Sequence, residues 1–485
     1  MGRIEKAVRT AASLVTGAAI SALVALVVGL ALSPGPPSDA DGAVPARHGP
    51  DDRALLKGAG PPASLDPPGY SPDTPVLDGS FADPSVIEVA GTYYAYGTNN
   101  ADATVPVAIA PAPTGPWRPA GDGLAHLPAW AVEGRTWAPE VVPPRDGSQT
   151  YLLYFTARVR GTDHQCIGVA TATSPAGPFV PVEEGPLVCP RHLGGAIDPA
   201  SYIEPDGTRY LLFKTDDRET AAIYLVSLNR DGLSVADEPT QILARGPEEP
   251  VLVEAPELVR RHGKYVLFYS AGWFFTPQYQ TRYAVASSIE GPYEKAAAPL
   301  QSTEAYRGRV EGPGSADVLT DDTGDYLVFH GILDYHADAN VTRGMYIARL
   351  GWDGARPVVQ GIPVRHEAER ARMTHCAPAS ARADASGGAA AGPFPHGGCR
   401  VELRLFAPAA GWHPLDVRYS NVSGGDAELR MWVNGRPAGT LRLPAVTGTA
   451  WGSATANVAL AAGWNTLVLQ GKGDGQIHLD YVEMR

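Results

Sequence analysis

The hexapeptide "YLLYFT" at 151–156 has four relatives in the same chain: "YYAYGT" at 93–98, "YLLFKT" at 210–215, "YVLFYS" at 265–270 and "YLVFHG" at 326–331. Their starts lie 58, 59, 55 and 61 residues apart. That period is too long for a hairpin array. In a stretch with almost no helical periodicity it predicts the blades of a β-propeller rather than a solenoid. Five copies predict five blades over residues 76–362, each hexapeptide being a middle strand whose aromatic residues pack. Turns such as "EPDGTR" (204–209) and "RRHGK" (260–264) lead into the strands. A second recurring element, "PTGPW" at 113, "SPAGPF" at 174 and "IEGPY" at 289, follows them.

A chain of 485 residues exceeds what one hydrophobic core supports, so more than one folded unit is expected. The net charge of -13, without any Lys/Arg-rich run, argues against nucleic acid or an anionic membrane surface as a partner. At the N-terminus Arg3, Lys6 and Arg9 precede an uncharged run, Thr10 to Leu32, of 23 residues. That run predicts an apolar helix long enough to span a bilayer. Residues 1–33 therefore read as an uncleaved signal anchor, positive end inside, or as a cleaved signal peptide. Either reading exports the working domains, to be secreted or held at the outer face of the cell membrane by the N-terminal tether. Residues 34–75, dominated by Pro, Gly, Ala and Asp, read as a disordered linker.

Export allows disulfides. The economical pairing is local, Cys166 with Cys189 and Cys376 with Cys399, each 23 residues apart; zinc is the alternative, though no CxxC or nearby His pair supports it. Beyond 364 the alternation in "VELRLF" (401–406), "AELRMWV" (427–433) and "NTLVLQG" (465–471) predicts a β-sandwich, with an Ala/Gly/Ser-rich insertion at 377–398. The fold class expected is all-β throughout, apart from the N-terminal helix.

In a propeller the innermost strands line the axis, so residues that meet there recur at blade spacing. Four acids do so: Asp83 in "SFADPSVIEV", Glu140 in "RTWAPEVV", Asp198 in "GGAIDPASYIE" and Glu254 in "VEAPELV", separated by 57, 58 and 56 residues. Asp-Pro is also a common turn former, and a single motif would be read that way. Several carboxyls converging on one pocket instead fit glycoside hydrolysis, where one must keep its proton for the leaving oxygen and another must stay ionised to activate water.

In this order and spacing, "FADPSVI", "WAPEV", "IDPASYI" and "VEAPELV" resemble the signature of glycoside hydrolase family 43. The resemblance implies a five-bladed propeller that hydrolyses arabinose- or xylose-containing glycans with inversion. It implies Asp83 as general base, Asp198 as the residue that tunes and orients the acid, and Glu254 as general acid, with no cofactor for catalysis. Glu140 falls in the WAP-acid motif and reads as structural. Phe81 and Trp137 are candidate walls of the sugar pocket, with core packing as the alternative, and Arg343 resembles an arginine that reaches the pocket from the last blade. Glu257, three residues past the acid, is expected on another face as a solvated or structural carboxylate. His330 reads as packing or support. Ser315 in "EGPGSADV" replaces a family histidine, so no axial metal is assigned.

With "RHEAERA" at 365–371, "GWHPLDVRYSN" at 411–421, "WVNGRPAG" at 432–439, "AAGWNTLVL" at 461–469 and "LDYVEM" at 479–484, residues 364–485 resemble a carbohydrate-binding module of the family 6 or family 35 kind, a jelly-roll sandwich. The resemblance implies a structural calcium at Glu367, Glu369 and Asp480. Trp412, Trp451 and Asn421 are candidate sugar contacts, whereas Trp432 and Trp464 read as core. The expected activity is cleavage of α-L-arabinofuranosyl linkages in arabinan or an arabinose-substituted polysaccharide. A β-xylosidase of the same mechanism and a non-catalytic surface glycan-binding propeller are the alternatives.

Overall fold

Each of the five hexapeptides begins on the second strand of a four-stranded antiparallel sheet. These second strands are Thr92–Tyr96, Tyr151–Val159, Arg209–Thr215, Lys264–Ala271 and Gly324–Tyr335. They carry near-continuous apolar runs because both of their faces are covered. Leu153 and Phe155 face a core shared with Tyr96 and Val107 of the first sheet. Leu152 and Tyr154, pointing the other way, join Leu211 and Phe213 of the third. Burying each such side chain contributes about 1.5–3 kcal/mol, and the sheet-to-sheet stacking makes that burial possible.

The first strands, Ser85–Val89, Ala131–Val142, Ala196–Ile203, Val253–Arg261 and Glu311–Asp321, touch one another around a closed ring in which the last meets the first. The recurring Gly-Pro turns place Gly115, Gly177 and Gly291 at φ 97°, 81° and 91°, a region that other residues enter only under strain.

The computed structural model describes residues 70–485 except 146, 218–220, 338–339, 395–397, 449 and 472–475. The apolar segment 1–33 and most of the 34–75 linker lie outside the described residues. The linker's last residues are tied to the fifth sheet and the segment leading into it: the Tyr70 hydroxyl donates to the Ile347 carbonyl (2.5 Å) and Asp73 pairs with Arg309 (2.5 Å), while Leu77, just after the linker, bridges to Met345. Among the described residues no helix is long and apolar enough to cross a membrane.

Beyond the propeller-like ring, two antiparallel sheets enclose a second core. One contains Val364–Glu367, Ile477–Met484, Gly411–Asn421 and Gly452–Leu460; the other contains Arg372–Thr374, Arg400–Ala407, Gly463–Gly471, Ala427–Val433 and Arg436–Leu443. Strict alternation sends Val401, Leu403 and Leu405 inward to meet Leu415, Val417 and Tyr419. Both cysteine pairs are joined locally, Cys166 to Cys189 and Cys376 to Cys399. Trp464, read as core, is instead 48 % exposed: its ring meets the edge of Phe406 and its indole N–H donates to Asp353 of the fifth sheet (3.0 Å), so it ties the two parts together. Asn421, read as a sugar contact, is fully buried and donates to the Gly425 and Leu443 carbonyls.

Candidate active site

At an equivalent point in or just before every first strand stands a non-glycine residue in the left-handed region: Asp83 (φ 51°), Ala138 (40°), Asp198 (56°), Ala255 (48°) and Ser315 (52°). Such conformations persist in non-glycine residues only where the surroundings enforce them. The enforcing partners come from the ends of the recurring hexapeptides. The amide of Ala138 donates to Thr98 Oγ1 (3.0 Å), that of Asp198 to Thr156 Oγ1 (3.2 Å) and that of Ser315 to Ser270 Oγ (2.7 Å). The Asp83 amide donates to His330 Nδ1 (3.2 Å) and closes the ring. Only the Ala255 amide is taken by a carboxylate, Asp198 Oδ2 (3.0 Å).

This ring also sets the true register of the acids. Asp83 and Asp198 occupy the left-handed position itself, Glu254 precedes it by one residue, and Glu140 follows it by two. Their even spacing in sequence thus comes from different places in the strand. Asp83, Asp198 and Glu254, with Trp137 and Arg343, line one cavity of about 540 Å³. Glu140 lies instead with Glu257 and Asp317 around a separate cavity of about 40 Å³ formed by all five first strands. Glu257 is buried there rather than solvated, because the ladder shifts register between Glu254 and Glu257 and simple alternation fails. Glu140 accepts from the Ser85 hydroxyl (3.0 Å) and the Ser201 hydroxyl (2.7 Å). Phe81 does not reach the cavity: its ring lies against Gly97 and packs with Val86 and Val328.

Asp83 accepts from Arg343 Nη1 (3.0 Å) on Oδ1 and from the Thr98 hydroxyl (2.6 Å) on Oδ2. Burial alone would raise its pKa, but the Arg343 guanidinium, His330 and the Thr98 hydroxyl outweigh it and hold the carboxyl well below the usual range. Asp83 is therefore an ionised base. His330 stays neutral, since burial and the Arg343 charge lower its pKa against the opposing pull of Asp83, whose Oδ1 lies 3.2 Å from Nδ1.

His330 stacks on Tyr279, with centroids 5.6 Å apart and planes within 5°. The Tyr279 hydroxyl in turn donates to Glu254 Oε1 (2.9 Å), while Lys214 Nζ stands 3.6 Å from Oε2. Burial raises the pKa of both Asp198 and Glu254, and for Asp198 the neighbouring Glu254 adds to it. One proton is thus retained between the two, and it belongs to the pair. The cavity joins a permanently ionised carboxylate to a carboxyl pair that keeps a proton, the combination that acid–base displacement at an acetal requires.

Reading the sequence alone misses Lys214, Tyr279 and the aromatic wall Trp273, Phe274 and Phe275, all of which line the cavity. A signal existed for Lys214: it holds the fifth place of its hexapeptide, where the other blades have Gly97, Phe155, Tyr269 and His330. Tyr279 lies in a loop with no repeat to mark it. Gly314 makes room for it, since a Cβ there would fall 2.1 Å from the Tyr279 ring. Gly314→Ala should therefore destabilise the fold by about 1–3 kcal/mol through overpacking, measurable by urea titration.

In the C-terminal part Glu367 and Glu369 converge on Gly387, and Glu369 Oε2 is buried with no partner. Asp480 accepts the Ser386 amide (2.9 Å) on Oδ1, and Arg418 holds its Oδ2. Among the described residues no group of three or more metal-ligating side chains is assembled. The orphaned Glu369 oxygen suits a hard cation, whereas the Arg418 partner already neutralises Asp480. Trp451 is covered on its faces by Arg382 (4.2 Å) and Arg418 (5.0 Å), and Trp412 is 48 % exposed.

The family model for glycosyl hydrolases family 43 matches residues 72–355. A probable arabinan endo-1,5-α-L-arabinosidase B of Aspergillus fumigatus is 28% identical over 325 residues, covering 56% of this chain and 84% of that protein. A β-D-galactofuranosidase of Aspergillus niger is 28% identical over 53% of this chain and 75% of its own length. Among solved structures, a thermostable family-43 glycoside hydrolase superposes with a TM-score of 0.51 at 26% identity, covering 58% of this chain and 93% of that one.

Proposed function

The chain belongs to glycosyl hydrolases family 43, and from that premise we propose that it is an exported, inverting enzyme cleaving α-L-arabinofuranosyl linkages of arabinan or an arabinose-substituted polysaccharide. The observation that carries the chemistry is the contrast between Asp83, kept ionised by Arg343, and the Asp198–Glu254 pair, which keeps one proton. Water bonded to Asp83 attacks the anomeric carbon and gives its proton to that carboxylate as the carbon–oxygen bond breaks. Glu254 delivers its proton to the departing oxygen from Oε2, because Oε1 is already occupied by the Tyr279 hydroxyl. Asp198, held to the Ala255 amide, keeps a second charge near the acid and so favours the protonated form of Glu254.

The arabinosyl assignment leans on the A. fumigatus relative. A second reading, β-D-galactofuranoside, is favoured by the A. niger relative and by chemistry, since the two furanosides share ring configuration and differ by one hydroxymethyl group. A panel of aryl α-L-arabinofuranoside, β-D-galactofuranoside and β-D-xyloside, with linear arabinan, separates them. Fastest release from the arabinosides, with the first sugar product in the opposite anomeric configuration by NMR, is expected. Retained configuration, or a preference for xyloside, would sink the reading.

Export and tethering through residues 1–33 belong to the same proposal, supported by the two disulfides. Residues 364–485 are proposed as a jelly-roll carbohydrate-binding-like module whose Glu367 and Glu369 hold a calcium ion, with Asp480 beside them. EDTA should then lower Tm by a few degrees and added calcium restore it, with Glu369→Gln abolishing the response. A calcium-independent Tm in the wild type would remove the ion from the proposal.

A further inference from the structure

Lys214 is the one hexapeptide residue that puts a full positive charge on the interior of a second strand. Its backbone is paired with Ile197 and Ile223, and its side chain is 4 % exposed. At the equivalent place Phe155 and Tyr269 are simply buried. An ammonium in such a position is costly unless opposite charge answers it. The carboxylates that answer it belong to the cavity: Glu254 Oε2 at 3.6 Å and Asp216 Oδ1 at 3.9 Å. Neither distance is that of a hydrogen bond, so the attraction is one of charge.

The charges around the cavity fall into two groups that still act on each other, since the Asp83 carboxylate pushes the pKa of Asp198 and Glu254 up and Arg343 pulls that of Glu254 down. Asp83 has its own cation, Arg343, at 3.0 Å. Asp198 and Glu254, from the first strands of the third and fourth sheets, face Lys214 together, and Tyr279 offers Glu254 a neutral hydroxyl. Asp216, at the cavity wall, is 27 % exposed. His330 is neutral and lies behind Tyr279. Without Lys214, Arg343 would be the cation left acting on Glu254 among the described residues, at a greater distance, and both carboxyls would bind protons more strongly.

We propose that Lys214 is a positioning residue for acid catalysis: its ammonium lets the Asp198–Glu254 pair hold one proton rather than two and sets the alkaline limit of activity. During turnover it also faces the carboxylate that Glu254 becomes once its proton has gone to the leaving oxygen. The role rests on the glycosidase reading of the cavity but not on which sugar fills it.

Removing a positive charge disfavours the carboxylate, so the pair must titrate at higher pH when Lys214 is neutralised, by about 1–3 pH units. The test is a carbon-13 carboxyl NMR titration of substrate-free wild type, Lys214→Met, Lys214→Gln and Lys214→Arg, which needs no knowledge of the sugar. It is paired with the pH profile of kcat/KM on whichever glycoside the wild type cleaves. Expected are an upward move of the Glu254 and Asp198 titrations and of the alkaline limb in both neutral variants. Turnover of unactivated glycosides should fall about tenfold or more at neutral pH, and Lys214→Arg should restore the wild-type profile. Folded neutral variants with unchanged titrations and only a raised KM would overturn the proposal and leave Lys214 a sugar contact. Misfolding of both neutral variants beside a folded Lys214→Arg would also overturn it, as a purely structural ion pair.

Discussion

Glu254→Gln is expected to lower kcat on arabinan by about 10²–10⁴-fold while leaving an aryl glycoside with a dinitrophenolate leaving group close to the wild-type rate. Glutamine keeps the shape of the side chain and can still accept from the Tyr279 hydroxyl, so the wall of the cavity is preserved. What it lacks is a proton that can be released. A sugar alkoxide cannot leave without one, whereas a dinitrophenolate can, and the loss should follow the basicity of the leaving group. The alkaline limb of the pH profile should vanish in the same variant, because its titrating proton is no longer there. A uniform loss across leaving groups would assign the acid role elsewhere, and Asp198 would be the next carboxyl to test.

The carboxyl pair that keeps a proton illustrates what could and could not be read before the structure. The fivefold hexapeptide was sufficient for five sheets, and the recurring acids were sufficient to bring Asp83, Asp198 and Glu254 to one cavity. Equivalence among those acids was not legible, because one left-handed residue per strand breaks the two-residue alternation on which facing is judged from sequence. Glu257 is a structural carboxylate on another face, as expected, but its burial was not legible for that reason. Phe81 was misjudged for another: an aromatic next to a candidate base carries no mark of whether it points to the cavity or, as here, against Gly97.

The supporting groups were partly written in the repeat. Thr98, Thr156 and Ser270 end their hexapeptides and hold the strained residues of the next sheet, so a column of hydroxyls at the end of an apolar strand was a signal for function. Tyr279 and the aromatic run 273–275 arise in a single loop of the fourth sheet. Nothing periodic announces them, and only the folded chain brings Tyr279 between His330 and Glu254.

Asp83→Asn should produce the complementary pattern: a loss of about 10²–10⁴-fold on activated and unactivated glycosides alike. Activating water is needed whatever the leaving group, and asparagine cannot take water's proton. Its amide oxygen can still accept from Arg343 or Thr98, which limits the structural damage; unchanged near-UV circular dichroism would verify this. The informative addition is azide. Azide is already a nucleophile and requires no base, and in the variant the Arg343 charge is no longer balanced by a carboxylate, so the anion is attracted to the place water occupied. Turnover of an activated glycoside should rise with azide concentration and give a glycosyl azide of inverted configuration, identified by NMR. Azide rescue of Glu254→Gln with retained configuration would make the displacement a double one, with Asp83 the nucleophile and Glu254 the acid–base residue, whereas an inverted azide from that variant would exchange the roles of base and acid. Inverted product from Asp83→Asn alone fixes the face of attack at Asp83 and leaves the opposite face of the sugar to Glu254.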